Sequence, residues 1–191
     1  MTARRRASFA ERREERAAID DPEIVLAAGL RFLEARARSV AEVRRRLATA
    51  GYRTELVDRA VARLCDLGIL DDATFARSWI ESRDRARPRG ERALRQELQL
   101  KGIDRVIVDE LLAERSTPSE GEPDADATGA RRVLERHAAA LGRVADPRRR
   151  WQRAYALLAR SGFDPETAST AVRAFLAAGA TGDGEDDEPT D

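Results

Sequence analysis

The chain has 191 residues, 42% apolar, 5% aromatic and 37% charged, with 35 basic and 35 acidic side chains and a formal net charge of zero. That much apolar residue supports a core, but so few aromatics suit helices with one thin apolar stripe each, and argue against a thick β-sandwich. Cys65 is the single cysteine, which excludes an internal disulfide.

Lying between Leu64 and Leu67, Cys65 reads as a buried thiol in a reducing cytosol. No apolar run approaches the ~20 residues a membrane helix needs. The basic Arg4, Arg5 and Arg6 lead into Glu11, Arg12, Arg13, Glu14 and Glu15, not into a signal-peptide core, so a cytoplasmic location is expected.

Residues 1–21 read as a basic N-terminal arm, partly disordered. A helix over 22–37 carries Ile24, Leu26, Leu30 and Leu33. Ser39-Val-Ala-Glu42 is a capping box that opens a second helix, with Val40, Val43 and Leu47 on one face. Leu47 is followed four residues later by Gly51 and then Tyr52. The same spacing recurs at Leu98, Gly102 and Ile103, and again at Leu158, Gly162 and Phe163. In each case the glycine sits where the chain needs a positive φ to leave a helix.

The helices after the glycines start near Thr54, Asp104 and Asp164, whose side chains can accept from free backbone N–H groups. Their inward positions are Val57, Ala60 and Val61; Val108, Leu111 and Leu112; and Ala168, Ala171 and Val172. In the second unit, a helix over 72–86 starts at Asp71 and Asp72 and carries Phe75, Ala76, Trp79 and Ile80; Pro88 opens the next, with Leu94 and Leu98 inward. In the third, a helix over 127–141 carries Val133, Leu134 and Leu141. Asp146 and Pro147 open its successor, with Trp151, Tyr155 and Leu158 on one face.

This pattern predicts an all-α chain: repeat 1 over 22–70, repeat 2 over 71–115 and repeat 3 over 127–178. Nine helices are expected, three per repeat. Three short helices bury little alone, so neighbouring repeats should share surface and stack into an elongated, curved molecule. Between repeats 2 and 3, residues 116–126 read as a flexible acidic linker that frees repeat 3 to move, and 179–191 as an acidic disordered tail. Setting aside Glu120, Glu122, Asp124 and Asp126, and the six acids between 181 and 191, leaves 35 bases against 25 acids on the body. A basic body suits a polyanion or an acidic protein surface.

Nothing in the sequence assembles a catalytic site, so the expectation is a protein that is not an enzyme and uses no cofactor or metal. His137 is the single histidine and lacks a nucleophile partner. There is no phosphate-binding glycine loop. The Asp71-Asp72 pair reads as a helix cap rather than a metal site.

The arginines are more informative. Helical spacing turns Arg89, Arg92 and Gln96 away from Leu94 and Leu98, toward solvent, and makes a stripe of Arg149, Arg153 and Arg160 opposite Tyr155. Arg38, Arg89 and Arg149 each lie nine residues before a repeat leucine and would form a spaced basic row if the repeats superpose. Arg83 shares a face with Phe75, Trp79 and Ile80, where an ion pair locking two helices is the favoured reading over ligand contact. The candidate contact residues are Arg38, Arg44, Arg45, Arg87, Arg89, Arg92, Arg95, Arg149 and Arg153, chosen by exposure and repeat position.

From Leu30 to Leu112 the sequence resembles the RecX regulatory proteins. The resemblance is carried by Ser39-Val-Ala-Glu42-Val-Arg44-Arg-Arg-Leu47, Gly51-Tyr52, Leu64-Cys-Asp-Leu-Gly68-Ile69-Leu70-Asp71-Asp72, Phe75-Ala76, Ser82-Arg83, Arg95-Gln96-Glu97-Leu98 and Lys101-Gly102-Ile103. It implies stacked three-helix repeats and a protein that binds along the groove of the RecA recombinase filament and inhibits its ATPase, strand-exchange and coprotease activities; a monomer is the expectation for a repeat stack that caps itself. Other open readings are a helical repeat protein that binds DNA directly in repair, and a helical scaffold for another partner. The acidic tail is expected to compete with any polyanion for the basic body.

Overall fold

In the computed structural model, residues 8–117 and 124–181 are described. The readings on 1–7, on most of the acidic linker and on the acidic tail beyond 181 fall outside them. Eleven helices and no strand form among the described residues: α1 (Phe9–Ala17), α2 (Pro22–Leu33), α3 (Val40–Ala50), α4 (Thr54–Asp66), α5 (Asp72–Ala86), α6 (Glu91–Leu100), α7 (Arg105–Ser116), α8 (Ala125–Arg136), α9 (Ala138–Gly142), α10 (Pro147–Arg160) and α11 (Pro165–Thr181). Two elements exceed the expected nine. One is α1; the other arises because the helix expected over 127–141 breaks at His137, between α8 and α9.

Two units form. Among the described residues, the first takes in 8–76 and 99–107, the second 77–98, 108–117 and 124–181. In the first, Val25, Val43, Leu47, Leu56, Val57, Ala60, Val61, Leu64 and Leu70 make the core. On α2 the inward stripe is Val25 and Gly29, not the expected Ile24 and Leu30, which are both exposed. The Gly29 site explains the choice: a Cβ there would lie 3.1 Å from the Leu64 side chain, so α2 rides directly on α4. Cys65 is exposed, a correction to its expected burial, because one step around α4 from buried Leu64 turns it outward. In the second unit Ala130, Val133, Leu134, Leu141, Ala154, Leu158, Phe163, Ala168 and Val172 make a core.

The three repeat glycines have φ of 107° (Gly51), 77° (Gly102) and 87° (Gly162), as their place after the repeat leucines requires. Each turn also receives a neighbour so closely that a Cβ would collide with it. Gly51 meets the backbone of Arg13 on α1, Gly102 meets Ala41 on α3, and Gly162 meets Ala93 on α6. The middle helix of one repeat therefore abuts the glycine turn of the next. For repeat 1, which has no predecessor among the described residues, α1 takes that place. It even carries the same capping box, Ser8 with Glu11, as α3 has in Ser39 with Glu42.

The joint repeats in its polar detail. Within the first unit, Ser39 Oγ donates to the Lys101 carbonyl at 2.6 Å, and the Val40 N–H donates to Asp72 at 2.9 Å. Within the second, the Gly90 N–H donates to the Ser161 carbonyl at 3.1 Å, and the Glu91 N–H donates to Asp126 at 3.0 Å. An aspartate at the start of α5 and another at the start of α8 thus each cap the preceding middle helix, whose first N–H groups have no partner inside the helix.

One cap and one helix start differ from the sequence reading. Arg53, not Thr54, is the N-cap of α4 and makes no side-chain cap, and α6 begins at Glu91, three residues after Pro88. Asp104 and Asp164 cap as expected, accepting from the Val106 and Glu166 amides.

Candidate partner-binding surface

The arginines chosen from sequence fall into three settings. Arg83, Arg89 and Trp79 converge on Glu97, at the corner of α5 and α6. Glu97 accepts from Trp79 Nε1 at 2.8 Å and Arg83 Nε at 2.7 Å, and lies 3.6 Å from Arg89 Nε. The Arg83 guanidinium sits 4.5 Å from the Trp79 ring centroid. Arg83 is therefore the interhelical ion pair the sequence favoured. Arg89 is not solvent-facing: it precedes α6, is half-buried, and its Nε is buried without a hydrogen bond. Arg95 is also committed, pairing with Glu91 at 2.7 Å and with Asp109. Arg87 and Arg92 are exposed and form no ion pair among the described residues.

On α10, Arg153 is exposed and Arg149 is nearly free in solvent, 3.5 Å from Asp146. With Arg160 and His137 they line an open groove of about 580 Å³. His137 itself is structural, its Nδ1 2.9 Å from the Val133 carbonyl where α8 ends. Trp151 stacks on Tyr155 with centroids 5.1 Å apart and stays partly exposed, so of the three residues expected on one inner face only Leu158 is fully buried.

In repeat 1, Arg44 pairs with Asp58 at 3.1 Å on the surface, and Arg45 is exposed without an ion pair among the described residues. Arg38 lies half-buried with its guanidinium 4.5 Å from the Phe32 centroid. The surroundings of Arg38, Arg89 and Arg149 thus differ, one on a ring, one on a carboxylate and one in solvent. The equal spacing in sequence does not carry over into equal environments.

Sequence reasoning missed the residues that α1 brings in. Arg12 and Arg16 on α1, Arg31 on α2 and Arg46 on α3 line a groove of about 500 Å³ in the first unit, over Phe32 and Tyr52. The signal was present: Ser8-Phe-Ala-Glu11 is a capping box before a helical run.

Three acidic side chains of the joints shape the electrostatics. Burial raises the Glu42 carboxyl, but the Lys101 ammonium at 3.0 Å and the Ser39 N–H outweigh it and hold the group below its ordinary value. Asp72 is pushed up by burial, against the Val40 N–H. Asp126 is also pushed up by burial, with the Glu91 N–H and Arg115 opposing. Burial works against the Arg115 charge, yet its hydrogen bonds to Asp84 and Asp126 win and hold the guanidinium protonated. Asp126 had been read as part of an unstructured acidic stretch. It is buried, because Arg115 and the end of α6 together satisfy its carboxylate.

The fold and its surface define an all-helical protein of jointed three-helix repeats that displays arginines with no ion pair among the described residues. The described residues hold no helix long and apolar enough to cross a membrane. Residues 26–64 match the family description "RecX, first three-helix domain" and 71–112 match "RecX, second three-helix domain". The regulatory protein RecX of Mycobacterium avium (strain 104) is 36% identical over 149 residues, covering 78% of this chain and 83% of the relative. That of Mycobacterium bovis (strain BCG / Pasteur 1173P2) is 34% identical over 154 residues, covering 78% and 84%. The crystal structure of RecX from Lactobacillus salivarius superposes with a TM-score of 0.66 at 20% identity, over 83% of this chain and 98% of that one. The chain belongs to the RecX family of regulatory proteins.

Proposed function

We propose that this protein is a non-enzymatic, cytoplasmic regulator that binds the RecA recombinase filament as a monomer and inhibits its ATPase, strand-exchange and coprotease activities. Family membership over most of the chain carries the reading. The surface supports it: Arg45, Arg87, Arg92 and Arg153 are exposed without an ion pair among the described residues, and so are available to an acidic partner. Arg38, Arg44, Arg89, Arg95 and Arg149 are already engaged to varying degrees, and would contribute by redirecting existing contacts.

The test is single-stranded-DNA-dependent ATP hydrolysis by the recombinase, with this protein titrated far below one per recombinase protomer. Strong inhibition at that ratio supports filament binding, and Arg87→Glu, Arg92→Glu and Arg153→Glu should then weaken it. No inhibition, together with salt-sensitive DNA binding by the protein alone, would replace the reading with direct DNA binding. Neither effect would leave a helical scaffold for some other partner.

A further inference from the structure

The internal repeat supplies its own comparison for the arginines of the first unit. A shift of 51 residues, which carries Gly51 onto Gly102, carries Arg38 onto Arg89 and Arg46 onto Glu97. In repeat 2 the glutamate gathers its cations: Arg83 at 2.7 Å and Arg89 at 3.6 Å share one carboxylate. In repeat 1 that carboxylate is replaced by a further cation. Arg38 and Arg46 flank Phe32, at 4.5 and 5.6 Å from its centroid, and the Arg38 Nε, like that of Arg89, is buried with no hydrogen-bond partner among the described residues. Among the described residues, no carboxylate lies within ion-pair distance of Arg31, Arg38, Arg45 or Arg46. Glu42, the one acid lining the adjoining recess, is already held by Lys101 and the Ser39 amide. The cluster is therefore short of one anion that its sister repeat has built in.

The groove around this cluster is not simply basic. It runs between α1, α2 and α3 for about 500 Å³ and continues along α3 into a recess of about 260 Å³ that shares Phe32, Arg46 and Thr49. Its lining alternates arginines with Ala28, Ala50, Tyr52 and Phe9, and Phe9 is 59% exposed. An exposed phenylalanine at the mouth of a groove favours a ligand with apolar groups of its own. The Phe32 ring has guanidinium groups over it, and Tyr52 has Arg16 at 5.8 Å, so neither ring offers a clear platform for a nucleobase.

We propose that this groove of the first unit is a docking site for an acidic segment of a protein partner, in which carboxylates alternate with apolar side chains. The carboxylates would pair with Arg31, Arg45 and Arg46 around Phe32, while the apolar groups cover Phe9 and Ala50. The inference deepens the proposed function by naming the kind of partner segment. It rests on that reading only for the partner's identity, because its test uses peptides and no recombinase.

The full-length protein is titrated into a fluorescently labelled peptide in which glutamates alternate with leucine and phenylalanine, and anisotropy is recorded. The expected result is saturable binding that Arg46→Glu weakens by roughly tenfold or more, equivalent to ~1.4 kcal/mol. This variant restores the carboxylate that repeat 2 carries, at an exposed position, so the fold should persist and its melting temperature should not fall. Phe9→Ala should weaken binding through the apolar contact alone. Arg59→Glu, an exposed charge reversal on α4 outside the groove, should change affinity by no more than about twofold. Absence of binding, equal effects of Arg46→Glu and Arg59→Glu, or a single-stranded oligothymidylate that outcompetes the peptide through Arg46 would each overturn the proposal. Filament inhibition without peptide binding would overturn the groove while leaving the proposed function intact.

Discussion

Arg115 is where the joint between repeats 2 and 3 is most exposed to perturbation by a single substitution. Its side chain is 6% exposed and donates to both carboxylate oxygens of Asp84 at 2.9 Å, to Asp126 at 2.6 Å, and to the Arg89 carbonyl at 3.4 Å. Arg115→Met keeps much of the volume and removes every donor. Asp126, whose side chain is only 10% exposed, would keep the Glu91 amide as its remaining partner. Asp84 is about a third exposed and can recruit water. Removing one partner of a buried pair costs ~3–5 kcal/mol, and the exposure of Asp84 argues for the low end, about 3 kcal/mol. In a chain of this size ~1 kcal/mol shifts the melting temperature by ~2–4 °C, so a drop of about 6–12 °C is expected. Urea titration followed by circular dichroism gives the free energy, and the pair with Asp126→Asn gives the coupling. A loss below about 1 kcal/mol, or strict additivity of the two substitutions, would refute the claim that this network holds the joint.

Gly90, in the joint, and Gly142, at the end of α9, make a contrasting pair. A Cβ on Gly90 would lie 2.3 Å from the Gly162 carbonyl oxygen and 2.4 Å from the Phe163 nitrogen, both backbone, so Gly90→Ala should cost at least ~1–3 kcal/mol in the same titration. Gly142 has open space around it and no positive φ, so Gly142→Ala should leave stability unchanged or raise it by ~0.4–1 kcal/mol. The Glu42 carboxyl is held below its ordinary value of 4.5, so its contribution is present above that value and lost as pH falls through the lowered one. Glu42→Gln should therefore lessen the fall in stability below about pH 4.5 in acid titrations. Asp72, pushed up by burial, carries the opposite sign, its cost at neutral pH disappearing as it protonates. Deleting residues 182–191, with six acids and no base, should tighten binding to the filament or to DNA at low salt; unchanged affinity would remove any competing role for that segment.

Much of the helical plan was legible because it is written in local chemistry. Ser39 with Glu42, Asp146 with Pro147, and the three Leu-x-x-x-Gly turns act within one or two helical turns of themselves, and they place α3, α10 and the turn between the second and third helix of each repeat. Inward positions such as Val57, Val108 and Val172 follow from helical spacing alone. The same reasoning failed on α2, where Ile24 and Leu30 are more apolar than Gly29 but the close approach of α4 selects the smallest residue. It also read 1–21 as a basic arm and so passed over α1, whose Ser8 and Glu11 box matches that of α3.

The partner-binding candidates were only half legible. An arginine's place in the repeat is a sequence property, but its availability depends on which carboxylate stands nearby in space. Glu97 lies fourteen residues from Arg83 and eight from Arg89, and it takes both out of circulation. Sequence by itself determined the helical class, the repeat period, the turn glycines and the basic character of the body. Tertiary structure alone decided that α1 closes the start of repeat 1, that Asp126 is a buried cap and not a free acid, and which arginines remain unpaired. Periodicity and capping are short-range, whereas charge pairing and close backbone approach join residues tens of positions apart, and only the folded chain brings those together.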